Sequence, residues 1–168
     1  MPSKKAGETM EFYTSDLCDK YKDDVQVALP LFKSYGGKSY FEGEIVTIRL
    51  QDNNKDLVTL LKTNGKGKVA VVDVDAKYVA VVGDILMGFA QENHWSGILI
   101  NGYVRDIVNT KNIEVGLFAL GTCPKKCPEP SNADIGITLN FAGVKFENGN
   151  YIYADEDGII VSKTPLSM

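Results

Sequence analysis

The sequence predicts a mixed α/β fold built as a single domain. Short β-branched runs such as "KVAVVDVD" and "SGILING" have the continuous apolar character of strands covered on both faces. Amphipathic segments such as "DILMGFAQEN" fall between them at helical spacing. Toward the C-terminus, strand-like segments follow one another without a helical pattern between them, which makes the arrangement mixed. A chain of 168 residues can build one sizeable core and not two comfortable ones, and no internal repeat or linker divides it.

The elements follow in order. Residues 1–13 read as a polar, flexible N-terminal segment and 14–168 as the domain. "TSDLCDKY" offers Thr14 or Ser15 as the cap of a short helix ahead of Leu17. "YGGKSYFEG" reads as a turn, with Gly36-Gly37 serving it or allowing close backbone approach near a cleft. In "EIVTIRL", Val46, Ile48 and Leu50 alternate with Thr47 and Arg49 as in a half-buried strand. Leu57, Val58, Leu60 and Leu61 have helical spacing, ended by Asn64-Gly65. "KVAVVDVD" and "KYVAVVG" read as strands, the second with a helix left open by alternation alone, then residues 84–93 as a helix in which Gly88 suggests a close neighbour. "SGILING" and "EVGLFALG" read as strands, "TCPKKCPEPSNADIG" as an irregular loop, and the remainder as β-rich with a turn at Asn148-Gly149-Asn150.

Composition narrows the function classes. The net charge of −4 argues against a broad nucleic-acid surface. Three cysteines form no even framework, and no apolar run approaches a membrane span. With no signal-like apolar region near the start, the expectation is a soluble cytoplasmic protein with no membrane or direct nucleic-acid partner.

The chemistry concentrates between Asp84 and Arg105-Asp106. A helix of about ten residues spans about 15 Å, and a following strand over roughly 96–100 covers about 17 Å. If the two run antiparallel the lengths nearly cancel, and Arg105-Asp106 arrive beside Asp84. Free amides at the helix start attract an anion. Arg105 offers a planar fork for a carboxylate, and Asp84 and Asp106 offer hard oxygen ligands for Mg²⁺ or Mn²⁺. Such a group would hold a 2-oxo acid, its carboxylate on Arg105 and the amides of Ile85 and Leu86. A Lewis acid at the keto oxygen would then serve aldol cleavage and β-decarboxylation alike. A plain helix cap and a solvated Arg-Asp face are the competing readings of the same residues.

From "TSDLCDKY" through "VALPLFKSYGGKSYFEGEIVT", "GKGKVAVVD", "GD", "NGYVRD", "ALGTCP" and "FAGVKF" to "YIYADEDGIIVS", the chain resembles a known family. It is that of the regulator of ribonuclease activity A and the divalent-metal-dependent 4-hydroxy-4-methyl-2-oxoglutarate aldolases. The most informative shared feature is Asp-x20-Arg-Asp, met by Asp84, Arg105 and Asp106. The resemblance implies an α/β/α sandwich of the swivelling phosphohistidine-domain type with a mixed sheet, assembled as a homotrimer with clefts between subunits. It implies that Arg105 binds the pyruvyl carboxylate and that Asp106 ligates Mg²⁺ or Mn²⁺. Asp84 would hold metal-bound water, while Gly83 and the amides of Ile85 and Leu86 complete the anion site. The implied activity is that of a class II aldolase and oxaloacetate decarboxylase. The alternative is a noncatalytic regulator of ribonuclease E-type activity. Two departures weigh on aldol specificity: Asn109 stands where a Glu is often found, and an acid-bearing C-terminal extension of longer aldolases does not follow Ser162–Met168.

Other motifs have ordinary readings. Cys123 and Cys127 read as unpaired loop thiols, because C-x3-C without a second pair cannot close a zinc site. His94 beside Trp95 reads as a cap or packing residue, and "NGKGK" lacks the length of a phosphate-binding loop. Asp155, Glu156 and Asp157 read as an acidic turn between strands in preference to a second metal site.

Overall fold

The computed structural model describes residues 11–51, 54–128 and 133–168. Helix α1 (Thr14–Tyr21) and one 3₁₀ turn lead to β1 (Val25–Val27) and β2 (Lys33–Ser34). Then come β3 (Phe41–Arg49), α2 (Lys55–Leu61), β4 (Lys68–Asp73), β5 (Ala80–Val82), α3 (Asp84–Glu92) and β6 (Gly97–Val104). A single turn, α4 (Ile107–Thr110), precedes β7 (Gly116–Thr122), β8 (Asp134–Ile135) and β9 (Leu139–Phe141). β10 (Val144–Phe146), β11 (Tyr151–Asp155) and β12 (Gly158–Ser162) complete the chain.

The main sheet runs β1-β12-β11-β3-β4-β6-β7-β2. Its centre is parallel, through the pairs β3–β4, β4–β6 and β6–β7. Its flanks are antiparallel, as at β11–β3 and β2–β7. The mixed α/β expectation therefore holds. Alternation along β4 explains why its sequence looks uniformly apolar: Ala70 and Val72 join one core while Val69 and Val71 join the other, and all four are buried.

The layering departs from an α/β/α sandwich. Leu57 and Leu61 of α2 and Leu86, Met87 and Ala90 of α3 cover one sheet face. α1 packs Leu17 on Tyr153 and Ile160, which pair with each other and, through Tyr153↔Glu42, continue that same face. The opposite face is covered by the β9–β10 hairpin, whose Leu139, Val144 and Phe146 pack on Val69, Val71 and Ile152. The hairpin turns through Ala142 and Gly143, both with positive φ, as a type I′ turn requires.

Several local expectations are corrected. Phe12, inside the segment read as flexible, is buried and meets Tyr153 edge-on at 5.6 Å, while residues 1–10 lie outside the described residues. Neither Thr14 nor Ser15 caps α1. Tyr13 is the N-cap without a side-chain bond, and Asp155 caps the helix from the far end of the chain. Its carboxylate accepts the Thr14 amide at 2.8 Å and the Thr14 hydroxyl at 2.6 Å. The strand read over "KYVAVVG" shrinks to β5, because residues 77–79 belong to a turn in which Lys77 N–H donates to Val74 O and Val79 N–H to Lys77 O. Inside the loop read as irregular, β8 pairs Asp134 and Ile135 with Arg49 and Ile48.

Gly36 and Gly37 are close-approach glycines: a Cβ on either would strike the carbonyl of Val115 or Ile113. Gly88 has open space where a Cβ would stand, so within this chain nothing approaches it. No helix among the described residues is long and apolar enough to cross a membrane.

Candidate functional site

β5, α3 and β6 form a β-α-β unit, since β5 and β6 pair in parallel. β4 ends at its Asp73↔Asn101 pair, and β5 then takes over beside β6 through Ala80↔Tyr103 and Val82↔Val104. The chain thus enters α3 level with the C-terminal end of β6. This is where Asp84 and Arg105-Asp106 meet, but not by cancelling lengths. β6 has eight residues, about 27 Å, whereas the nine of α3 span about 13 Å. Residues 93–96 make up much of the difference. There α3 closes in a Schellman turn, with Trp95 N–H donating to Ala90 O and His94 N–H to Gln91 O. His94 holds the left-handed position at φ 68°, so it is a helix-ending residue, as expected.

At the other end the β-ladder stops with Arg105 N–H on Val82 O at 2.9 Å. Asp106 then turns left-handed, φ 61° and ψ 34°, a conformation Asp tolerates better than most side chains. Its Oδ2 lies 3.2 Å from the Asp84 amide, at the free-amide end of α3. The backbone amides of Ile85 and Leu86 have no acceptor within the helix, because the first bond of α3 is Met87 N–H to Gly83 O. A Cβ at Gly83 would stand 2.4 Å from Asp106 Oδ2, so a side chain here would displace that carboxylate. The Asp84 carboxylate, for its part, accepts the Asn109 side-chain amide at 2.9 Å.

These groups border one cleft of about 480 Å³. Buried Ala80, Val81 and Val82 contribute its apolar lining. Lys55, Val58 and Thr59 come from α2, Gly83 to Leu86 and Phe89 from the α3 side, Arg105 and Asp106 from beyond β6, and Lys126 from a loop. Arg105 is partly exposed and reaches Pro124 O at 3.5 Å through Nη1. Three cationic side chains and two carboxylates, among the described residues, border the cleft, which suits an anionic ligand. Among the described residues, no three His, Cys, Asp or Glu side chains converge on one point. Mg²⁺ does not need such a cage, since it is commonly held by one or two carboxylates with waters and ligand oxygens. Asp106 and Asp84 are the donors available for that role.

The predicted residues Gly83, Asp84, Ile85, Leu86, Arg105 and Asp106 all border this cleft. Sequence reasoning missed Lys55, Thr59 and Lys126, whose lysines and threonine carry no local signature. It also missed the amide that Asn109 gives Asp84. Cys123 and Cys127 are buried free thiols, and burial pushes the Cys127 thiol up. Asp155 is fully engaged by α1 and by the Asp157 amide, in keeping with a turn.

Fold and site together define a mixed-sheet α/β protein with a cleft, bordered by charged side chains of both signs, at the meeting of a helix start and a strand end. The RraA-like family model, described as Aldolase/RraA, matches residues 14–161, and the chain belongs to that family. A Marinomonas protein provisionally named as a 4-hydroxy-4-methyl-2-oxoglutarate aldolase is 43% identical over 154 residues, 91% of this chain and 96% of its own. A Geobacillus kaustophilus structure titled S-adenosylmethionine:2-dimethylmenaquinone methyltransferase superposes with a TM-score of 0.89 at 38% identity, covering 92% of this chain and 97% of its own. A Thermus structure titled as the RNA-processing inhibitor RraA gives a TM-score of 0.89 at 33% identity, covering 94% and 96%.

Proposed function

We infer that the protein is a divalent-metal-dependent lyase of 2-oxo acids, cleaving 4-hydroxy-4-methyl-2-oxoglutarate, decarboxylating oxaloacetate, or both. The observation that carries this reading is that Arg105, Asp106 and Asp84 border one cleft at the start of α3, where Asp106 Oδ2 lies 3.2 Å from the Asp84 amide. The provisional aldolase name of relatives such as the Marinomonas protein agrees with it.

The roles follow from chemistry. Asp106 and, more remotely, Asp84 would hold Mg²⁺ or Mn²⁺, which when bound supplies Lewis-acid polarisation of the 2-oxo oxygen. Arg105 and the Ile85 and Leu86 amides bind the adjacent C1 carboxylate and fix the plane of the substrate. Asp84, restrained by Asn109, positions water for the proton transfers at the C4 hydroxyl and at C3 that aldol cleavage requires. Decarboxylation needs only the proton at C3, so it asks less of the protein. Ile85, which lines the cleft, and Val108, on α4 just after Asp106, are each 69% exposed, and cover from further copies in a trimer would bury them.

The test is turnover of both substrates with and without Mg²⁺. Activity should vanish in EDTA and in Asp106→Ala. Metal-independent turnover indifferent to that substitution would overturn the reading.

A second reading, a regulator of RNA processing, is favoured by the likeness to the Thermus inhibitor. It predicts inhibition of a purified ribonuclease E-type enzyme that survives Arg105→Ala. A methyltransferase reading is disfavoured by charge, because S-adenosylmethionine carries a sulfonium cation and, among the described residues, cationic side chains bordering the cleft outnumber carboxylates.

A further inference from the structure

α4 is a single turn of four residues, too short to hold its own conformation in water. Asp106, which starts it, stands in the left-handed region, a conformation that persists only where the surroundings impose it. Inside the turn, the amides of Asn109 and Thr110 both donate to Asp106 O at 2.9 Å. Thr110, fully buried, then donates its hydroxyl to Tyr35 O at 2.8 Å, seventy-five positions away. Tyr35 is held in its turn. Its amide donates to Leu117 O on β7 at 2.7 Å, and the Gly37 amide donates to Ile113 O at 2.8 Å. A side chain at Gly36 or Gly37 would strike the backbone of Val115 or Ile113, so the two glycines let residues 35–37 lie against that segment. β2, just before Tyr35, extends the contact by pairing Ser34 with Phe118. The half-buried Tyr35 also packs on the core that α2 and α3 share. A fixed carbonyl therefore receives the Thr110 hydroxyl and anchors the far end of the turn that presents Asp106.

We propose that Thr110, seated on Tyr35 O, is a positioning residue for Asp106, fixing that carboxylate in place for a divalent ion. This rests on the lyase reading and adds to it a residue outside the cleft, since neither Thr110 nor Tyr35 is among those that border it. The hydroxyl holds a backbone turn, so its removal loosens the ligand without changing the chemistry of the ligand. The effect is that of one neutral hydrogen bond, about fivefold in ion affinity.

The experiment measures Mn²⁺ binding to the full chain by titration calorimetry, and backbone hydrogen exchange in the same chain without metal. Thr110→Val keeps the shape and removes the donor. It should weaken Mn²⁺ binding about fivefold and speed exchange of the Asn109 amide, whose acceptor is Asp106 O. Thr110→Ser keeps the donor and should hold both within about twofold of the wild-type values. Asp155→Ala removes the cap of α1 and lowers Tm without touching this turn, so its Mn²⁺ affinity should match the wild type. Unchanged affinity in Thr110→Val, or an equal loss in Asp155→Ala, overturns the assignment while leaving the lyase reading intact. A wild-type chain that binds no Mn²⁺ overturns the metal-dependent lyase reading and this assignment with it.

Discussion

The side-chain amide of Asn109 donates to Asp84 Oδ2 at 2.9 Å, across twenty-five positions of sequence. Asn109 occupies the turn that begins at Asp106, so one short segment presents a candidate ligand and restrains the carboxylate next to it. Hydrogen bonds to charged groups contribute about 1.5–3 kcal/mol, less when solvent competes as it does here. Asn109→Ala should therefore lower kcat/KM about three- to tenfold with little change in Tm. Asn109→Glu cannot donate and sets two acids together. It should strengthen Mn²⁺ binding at neutral pH, read by titration calorimetry, and unaltered affinity would show that position 109 has no part in metal binding.

Gly83 owes its identity to Asp106. An Ala at 83 would place Cβ 2.4 Å from Asp106 Oδ2, and the exposed carboxylate would have to swing away from the α3 amides. The expected result is a loss of metal-dependent turnover of about a hundredfold or more. Stability should fall by no more than about 1 kcal/mol, since the displaced group is the end of a mobile side chain. A variant of full activity would mean that Asp106 works in another rotamer.

Much of this site was legible because its parts sit on strongly patterned elements. The β-branched runs of β4 and β6 and the apolar stripe of α3 marked a helix followed by a buried strand, although cancelling lengths are not why their ends meet. What escaped was long-range. β5 pairs with the tail of β6, which no helix or strand length reveals. The second sheet face is closed by β9–β10, a hairpin whose Ala-Gly turn is weak beside Asn-Gly. Lys55 reaches the cleft only because Asn54 finds Val81, twenty-seven positions away.

Asp155 shows the same principle as a stability device. Its buried carboxylate accepts the amide and hydroxyl of Thr14 and the amide of Asp157, replacing the missing local cap of α1. Asp155→Ala should cost about 2–3 kcal/mol in urea unfolding, a lost cap together with unsatisfied donors. Activity per folded molecule should persist, because no residue of α1 borders the cleft. An equally large fall in kcat would contradict that separation.

Glu42 supplies the pH-dependent prediction. Burial pushes its carboxyl above the ordinary range, and the neighbouring negative charge of Glu11 pushes it the same way. Lys38 and Tyr40 border the same hollow. A carboxyl raised in the folded state keeps its proton where the unfolded chain has lost it. Stability therefore falls as pH climbs from the ordinary Glu value, about 4.3, through the raised one, and the full penalty stands at neutral pH. Glu42→Gln keeps the shape without the charge, so it should raise Tm at pH 7. The gain should shrink as pH drops through the raised value and disappear below about pH 4. Glu11→Gln should give a smaller gain of the same sign. A Tm difference that stays constant from pH 4 to pH 8 would show that the substitution acts through packing and not through the buried charge.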